Sequence, residues 1–196
     1  GNVGGIMAAF GIEDSEFIRG KVPMTKAEIR AMVMVKAAIQ DNDIVADIGA
    51  GTGSLTIEAA LCAKSGKVFA IEKNPEGIQL IKQNAEKFGY QNIIAIEGSA
   101  PDAMDGLPPL DVIIIGGTSG NMHKILDNAE NLLKKGGRIV LTAVTAETTG
   151  EVVREFKDRP FKFEGFQMQI NRLRKLGRYH LFDPQSPVFI FTATKI

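Results

Sequence analysis

The chain has 196 residues, 44% hydrophobic and 23% charged, the ordinary balance of a globular domain with a sizeable core. Its 23 basic and 23 acidic side chains cancel, which removes any overall pull toward nucleic acid or a membrane surface. One cysteine, Cys62, excludes an internal disulfide, and no apolar run approaches the roughly 20 residues of a membrane span, so a cytoplasmic protein is expected.

The opening stretch, "GNVGGIMAAFG", lacks the basic start of a signal peptide, and Gly1 in place of Met suggests a tag remnant or a cut from a longer chain. Residues 1–24 read as an N-terminal segment leading into one domain over residues 25–196. Its first helix is expected over Thr25–Gln40, with Thr25 as N-cap and Glu28 as its capping-box partner. Strands follow at Asp43–Ile48, Lys67–Glu72, Asn92–Gly98, Asp111–Gly117 and Gly137–Val144. Their nearly unbroken Val/Ile runs predict strands covered on both faces, as in a parallel sheet. Helices are expected between and after them at Leu55–Ala63, Pro75–Phe88, Asn121–Leu133 and Glu147–Lys157, with Gly89 and Gly136 as C-terminal caps. The repeated strand–helix–strand order implies right-handed crossovers and an open α/β sheet.

The end of the chain breaks this rhythm. Phe161–Leu173 alternates with period two, and the next apolar run is Pro187–Ile196, with no helix between. These two runs predict an antiparallel hairpin joined by a long connection, "RKLGRYHLFDPQS", for about seven strands in all. Phe161, Phe163, Phe166, Phe189 and Phe191 then crowd the sheet edge, more aromatic surface than one face needs, which suggests a partner surface.

The most informative stretch is "VADIGAGTGSLTIEAAL", Val45–Leu61. Asp47, Gly49, Ala50, Gly51, Thr52 and Gly53 lie where a strand ends and a helix begins, and glycines there let backbone N–H groups approach a ligand. Glu72 ends the next strand, where a carboxylate can accept both hydroxyls of a ribose. Gly98, Ser99 and Ala100 follow the third strand and could border an adenine. Gly116 and Gly117 follow the fourth and leave an open floor. No Gly-Lys-Ser/Thr follows the glycines, so a phosphate loop of the Walker type is excluded.

This loop with its two acids and the terminal hairpin resembles class I methyltransferases that use S-adenosylmethionine. The implied fold is their Rossmann-like seven-stranded mixed sheet with a C-terminal antiparallel hairpin. Asp47 would then sit near the methionine ammonium, directly or through water or backbone amides. Further stretches, "GIEDSEFIRGKVPMTKAEIR", "AIEKNPEGI", "EGSAPDAM", "IIIGGTSGNMHKIL" and "SPVFIFTA", narrow the resemblance to the decarboxylating precorrin methyltransferases of cobalamin synthesis. That family methylates C15 of a precorrin or cobalt-precorrin and removes carbon dioxide from the ring C acetate. Carried over residue by residue, it implies cofactor contacts at Thr25, Gly49 through Gly53, Glu72 and Ala100, with Glu72 replacing the more usual Asp. It also implies a homotetramer and, in some relatives, fusion behind a C5-methylating precorrin methyltransferase.

A carboxylate-rich macrocycle calls for a basic cleft. From Arg154 to Arg178 there are eight basic residues against three acidic. Arg172, Arg174 and Arg178 on the hairpin connection, with Arg19 and Lys21 on the N-terminal segment, are the expected substrate contacts. Transfer from a sulfonium needs mainly in-line placement, so no general base is named. His123 and His180 read as surface residues and Cys62 as core, and no ligand spacing suggests a metal site. The rival readings are a transfer-RNA adenine or protein-repair methyltransferase of the same fold, and a degenerate binding module. "GGTSGN" stands where a flipped-base reader would carry an aromatic and a proline, and the intact acids and glycines argue against degeneration.

Overall fold

The computed structural model describes residues 11–196. Gly1 to Phe10, which include Met7 and the start of the N-terminal segment, lie outside the described residues. Seven strands form one sheet: β1 (Ile44–Ile48), β2 (Lys67–Glu72), β3 (Ile93–Glu97), β4 (Leu110–Ile115), β5 (Leu133–Ala143), β6 (Phe161–Met168) and β9 (Val188–Lys195). Their order is β3-β2-β1-β4-β5-β9-β6. The first five pair in parallel, and β9 runs antiparallel between β5 and β6. The chain reverses direction across the sheet between β1 and β4, which opens a crevice at the carboxyl ends of the strands.

Burial on both faces follows from the period of two. Val45, Val112, Ile114 and Val140 meet Ile29 and Val33 of α1 (Ala27–Ala37) and Leu55 and Ala59 of α2 (Ser54–Cys62). Ala46, Ile113, Ile115 and Ile139 point the other way, to Ile125 of α4 (Met122–Leu132) and to Val152 and Phe156 of α5 (Ala146–Phe156). Helix α3 (Pro75–Phe88) starts on an Asn74 cap and Pro75 and ends at Gly89 in the left-handed region, as its sequence predicts.

Four expectations fail, each for a physical reason. Thr25 does not cap α1: the N-cap is Lys26 without a side-chain bond, and Glu28 is held by Arg172 instead. Gly136 does not cap α4. Strand β5 already begins at Leu133, with an irregular register against β4, and Lys195 Nζ reaches across to the carbonyls of Glu130 and Leu133. The connection "RKLGRYHLFDPQS" is no open loop, since β7 (Asn171–Leu176) and β8 (Tyr179–Pro184) pair as a second hairpin. The expected Phe161–Leu173 strand is therefore two strands, broken at Gln169 and Ile170. The aromatic residues offered as a partner surface belong to the monomer's own core. Phe163 stacks between Phe156 and Phe191 at 4.9 and 5.6 Å, Phe189 extends the stack, and Phe166 packs over the opposite face.

The N-terminal segment is tied down by buried charge. Arg30, fully buried, donates from Nε to Glu58 at 3.2 Å, from Nη1 to Asp14 at 2.6 Å and to the Thr25 carbonyl, and from Nη2 to the Ile12 carbonyl. Glu58, also fully buried, accepts the Gly11 and Ile12 amides at 2.6 and 2.7 Å. Arg30→Ala should cost about 3–5 kcal/mol, because Glu58 would stay buried without its cation. Urea titration measures this, and a loss below about 1 kcal/mol would show the pair to be dispensable.

Candidate functional site

Backbone hydrogen bonds gather the strand-end loops at the crevice. The Gly49 and Ala50 amides donate to the Ile71 carbonyl, Gly98 N–H to Glu72, and Gly116 N–H to Ile48, all at 2.9–3.1 Å. Gly49 has φ +72°, and a Cβ there would stand 2.8 Å from the Gly117 nitrogen, so only glycine lets these two loops touch. Glu72 is aimed by two amides: Gly51 N–H donates to Oε1 and Asn74 N–H to Oε2, each at 2.9 Å. Its carboxylate keeps lone pairs for two further hydroxyls.

Two cavities flank this loop and share Gly49. The smaller, about 150 Å³, is bounded by Glu72, Gly98, Ser99, Ala100, Gly117 and Thr118. The larger, about 460 Å³, has Gly49 to Thr52 and Gly116 on one side. Pro23, Met24 and Thr25 cover another side, and Ile170, Arg172, Gln185 and Val188 close it. Together they fit a long nucleoside-type cofactor, with a carboxylate at the ribose end and a mouth where a second molecule can reach the far end.

Asp47, expected near an ammonium group directly or through water or backbone amides, stands back from the cavity walls, which leaves the indirect route. It lines neither cavity. It is buried, with Oδ2 accepting the Thr56 hydroxyl at 2.6 Å and Oδ1 left without a protein partner. Of the five basic residues expected at the substrate, Arg172 alone reaches a cavity wall. Arg19, Lys21, Arg174 and Arg178 are exposed away from both cavities. His123 is exposed and bonded to Glu155 at 2.8 Å, and among the described residues no group of His, Cys, Asp or Glu could hold a metal ion.

Two supporting residues escaped the reading of the sequence. A Cβ on Gly77, in the first turn of α3, would press on the Glu72 Cγ at 2.7 Å and the Gly51 carbonyl at 2.9 Å. A glycine so near a helix start is the available signal. Asn84 is fully buried and exchanges hydrogen bonds with the Ile18 backbone while its Nδ2 also donates to the Thr52 carbonyl at 3.1 Å. It thereby joins the N-terminal segment to the glycine loop. Its signal is a polar residue on an otherwise apolar helical stripe.

A family model described as a precorrin methyltransferase domain matches residues 16–195. A curated relative from Sulfurisphaera tokodaii, named a probable cobalt-precorrin-6B C(15)-methyltransferase (decarboxylating), is 40% identical over 188 residues, 94% of this chain and 97% of its own. A solved structure from Geobacter metallireducens, a precorrin-6y C5,15-methyltransferase, superposes with a TM-score of 0.90 at 36% identity, covering 96% of this chain and 100% of that one. Another from Methanobacterium thermoautotrophicum, described as precorrin 8W decarboxylase, gives 0.88 at 34% identity over 93% and 98%.

The buried acid yields a pH prediction. Burial pushes the Asp47 carboxyl from its ordinary 3.8 up to about 6, with the Thr56 hydroxyl opposing and the Glu72 charge adding. An acid raised on folding binds more protons folded than unfolded between those values, so stability falls as pH rises through that window. The loss is complete above it and amounts to about 3 kcal/mol. Subtracting the urea titrations of Asp47→Asn from those of the wild type across the window should isolate this slope. Parallel curves would mean that Asp47 is ionised throughout.

Proposed function

The chain belongs to the precorrin methyltransferase family, and from that membership and the paired cavities we infer that it methylates C15 of a cobalt-precorrin or precorrin while the ring C acetate loses its carboxyl group. The observation that carries this reading is the Glu72-ended cradle opening into a cavity walled by Arg172. The cradle fits S-adenosylmethionine: Gly49 lines both cavities with bare backbone, and the Glu72 carboxylate is preset for two ribose hydroxyls. Bound there, that cofactor supplies an electrophilic methyl group on a sulfonium.

The chain's own part is mostly placement. The glycine loop and Glu72 hold one reactant at the strand ends, and the Pro23–Thr25 cover and the Ile170–Val188 wall leave room for the other at the mouth. Fixing carbon and methyl in line removes most of the entropic barrier to such a transfer. Excluding water beneath the N-terminal cover protects the reactive methyl from hydrolysis. An electron-rich ring carbon furnishes the electron pair, so no protein base is assigned. Arg172 at the wall would orient a substrate carboxylate, while Arg174 and Arg178 farther along the hairpin and Arg19 and Lys21 on the N-terminal segment would act at longer range, drawing the anionic substrate in.

The same reading includes a cytoplasmic enzyme, with a C5-methylating precorrin methyltransferase as its fused or separate partner. It also includes a homotetramer assembled through the β7–β8 hairpin. Leu173 sits opposite Phe182 on one face of the hairpin, exposed by 63 and 74%, and Leu176 sits opposite Tyr179 on the other, exposed by 55 and 61%. Large apolar pairs exposed on both faces of a two-stranded arm support contact with partner chains.

Incubation with labelled S-adenosylmethionine and a precorrin extract should yield a corrinoid heavier by one methyl and lighter by one carbon dioxide, read by mass spectrometry. Label appearing only in transfer RNA would sink the reading in favour of its nucleic-acid rival. Light scattering should give a tetramer that Leu173→Asp with Phe182→Asp reduces to smaller species; a monomeric wild type at micromolar concentration would refute the assembly.

A further inference from the structure

Arg172 is the basic side chain of the hairpin that meets the larger cavity, and it is already engaged. Its Nη1 donates to Glu28 Oε2 at 3.2 Å and its Nη2 donates to Glu28 Oε1, a two-pronged bond between guanidinium and carboxylate. Any carboxylate can take that geometry. We propose that Glu28 is a resident stand-in for a substrate carboxylate: it occupies the fork of Arg172 until a carboxylate of the bound macrocycle replaces it. The proposal deepens the corrinoid reading and rests on it.

Comparison with the other engaged arginines supports exchange. Arg30 is fully buried with four partners, and Arg159 is 10% exposed among Asp127, Glu130 and Glu155. Each of these guanidinium groups is sealed or nearly so, and would be left short of partners if one turned away. Arg172 and Glu28 have side chains 39% and 41% exposed, so water can cover whichever group leaves. The hydrogen bond from Arg172 holds the Glu28 carboxyl below the usual carboxylate range, so the stand-in is ionised whenever a substrate carboxylate is.

Release also costs little at the other end. Glu28 lies in the first turn of α1, where free amides favour a negative charge, so it is not stranded when Arg172 turns away. Lys26 and Gln185 lie on the same cavity wall and could steady the incoming carboxylate. The hairpin stays in place meanwhile, because Gln185 N–H donates to the Ile170 carbonyl at 2.8 Å across its base. The exchange would give the mouth a preference: a ligand bearing a carboxylate gains Arg172, and one without must leave the internal pair intact.

The test uses uroporphyrin, a stable tetrapyrrole rich in carboxylates, and its methyl ester, titrated by absorbance and fluorescence at low salt. Glu28→Gln should tighten uroporphyrin binding about two- to five-fold, the range an exposed ion pair of this kind supports. Glu28→Ala should act in the same direction. Both gains should vanish in an Arg172→Gln background, and the ester should bind the single variants and wild type alike. S-adenosylhomocysteine affinity, measured by calorimetry, checks that each variant is folded. Weaker uroporphyrin binding by Glu28→Gln would make the pair a strut for the hairpin and overturn the proposal. So would unchanged binding while the wild type binds well, which would leave the corrinoid reading standing. No binding by any form would overturn both.

Discussion

The structure depends on one buried ion pair. Arg30 on α1 and Glu58 on α2 are both sealed from water, and each turns its remaining capacity to residues 11–25, Glu58 to their backbone and Arg30 to their backbone and the Asp14 carboxylate. An unpaired charge in that position would be costly, so the pair and the segment have to form together. The result is a strap laid over the glycine loop. Asn84 fixes it from α3, and Glu76 accepts the Lys21 amide farther along. The loop alone is a floppy turn. Under this strap it becomes one wall of a defined chamber, with Pro23 to Thr25 as its cover.

Topology then distributes charge by task. The strand order sends β1, β2, β3 and β4 to a common edge, and the acid on that edge, Glu72, lines the smaller cavity. The second hairpin departs from the opposite side of the same chamber and carries the positive charge. A chain of zero net charge thus presents a neutral cradle with one carboxylate and, beyond it, a basic arm. Helix ends are finished by other cations: Arg138 of β5 closes the last carbonyls of α1, and Lys195 of β9 closes those of α4. These contacts couple the strands to the helices covering them, and they explain why α1 ends at Ala37 and not at Gln40.

The strands, the helices and the cradle were legible because their signals are local. Apolar period, a proline at a helix start and glycines bracketed by acids can each be read within a dozen residues. What escaped was set by distant partners. Glu28 satisfies the spacing of a capping box, yet Arg172, far along the chain, out-competes the backbone for it. Gly136 has the look of a helix cap, but a lysine from the last strand does that work. The aromatic residues near the end seemed too many for one face, because nothing in their order reveals that Phe156 would join Phe163 and Phe191 in a single stack. The second hairpin was misread as a loop because its strands are polar and exposed, without the buried face that makes alternation visible. Asp47 was legible as an acid at a strand end, though its hydroxyl partner Thr56 and its depth beneath the loop were not.

The placement of β9 has a consequence for how the protein is made. It is the last strand in the chain, yet it sits inside the sheet, between β5 and β6. During synthesis the ribosome delivers β6 before the strand that must bridge it to the rest. Until β9 emerges, β6 has no ladder to join, and Phe163 lacks the Phe191 ring that later stacks on it at 5.6 Å. The five parallel strands can dock as they are translated, but the edge of β5 stays open, a template for unwanted pairing between nascent chains. Closure of the sheet therefore waits on β9, and a single strand, once seated, covers the open edge of β5 and gives β6 its place.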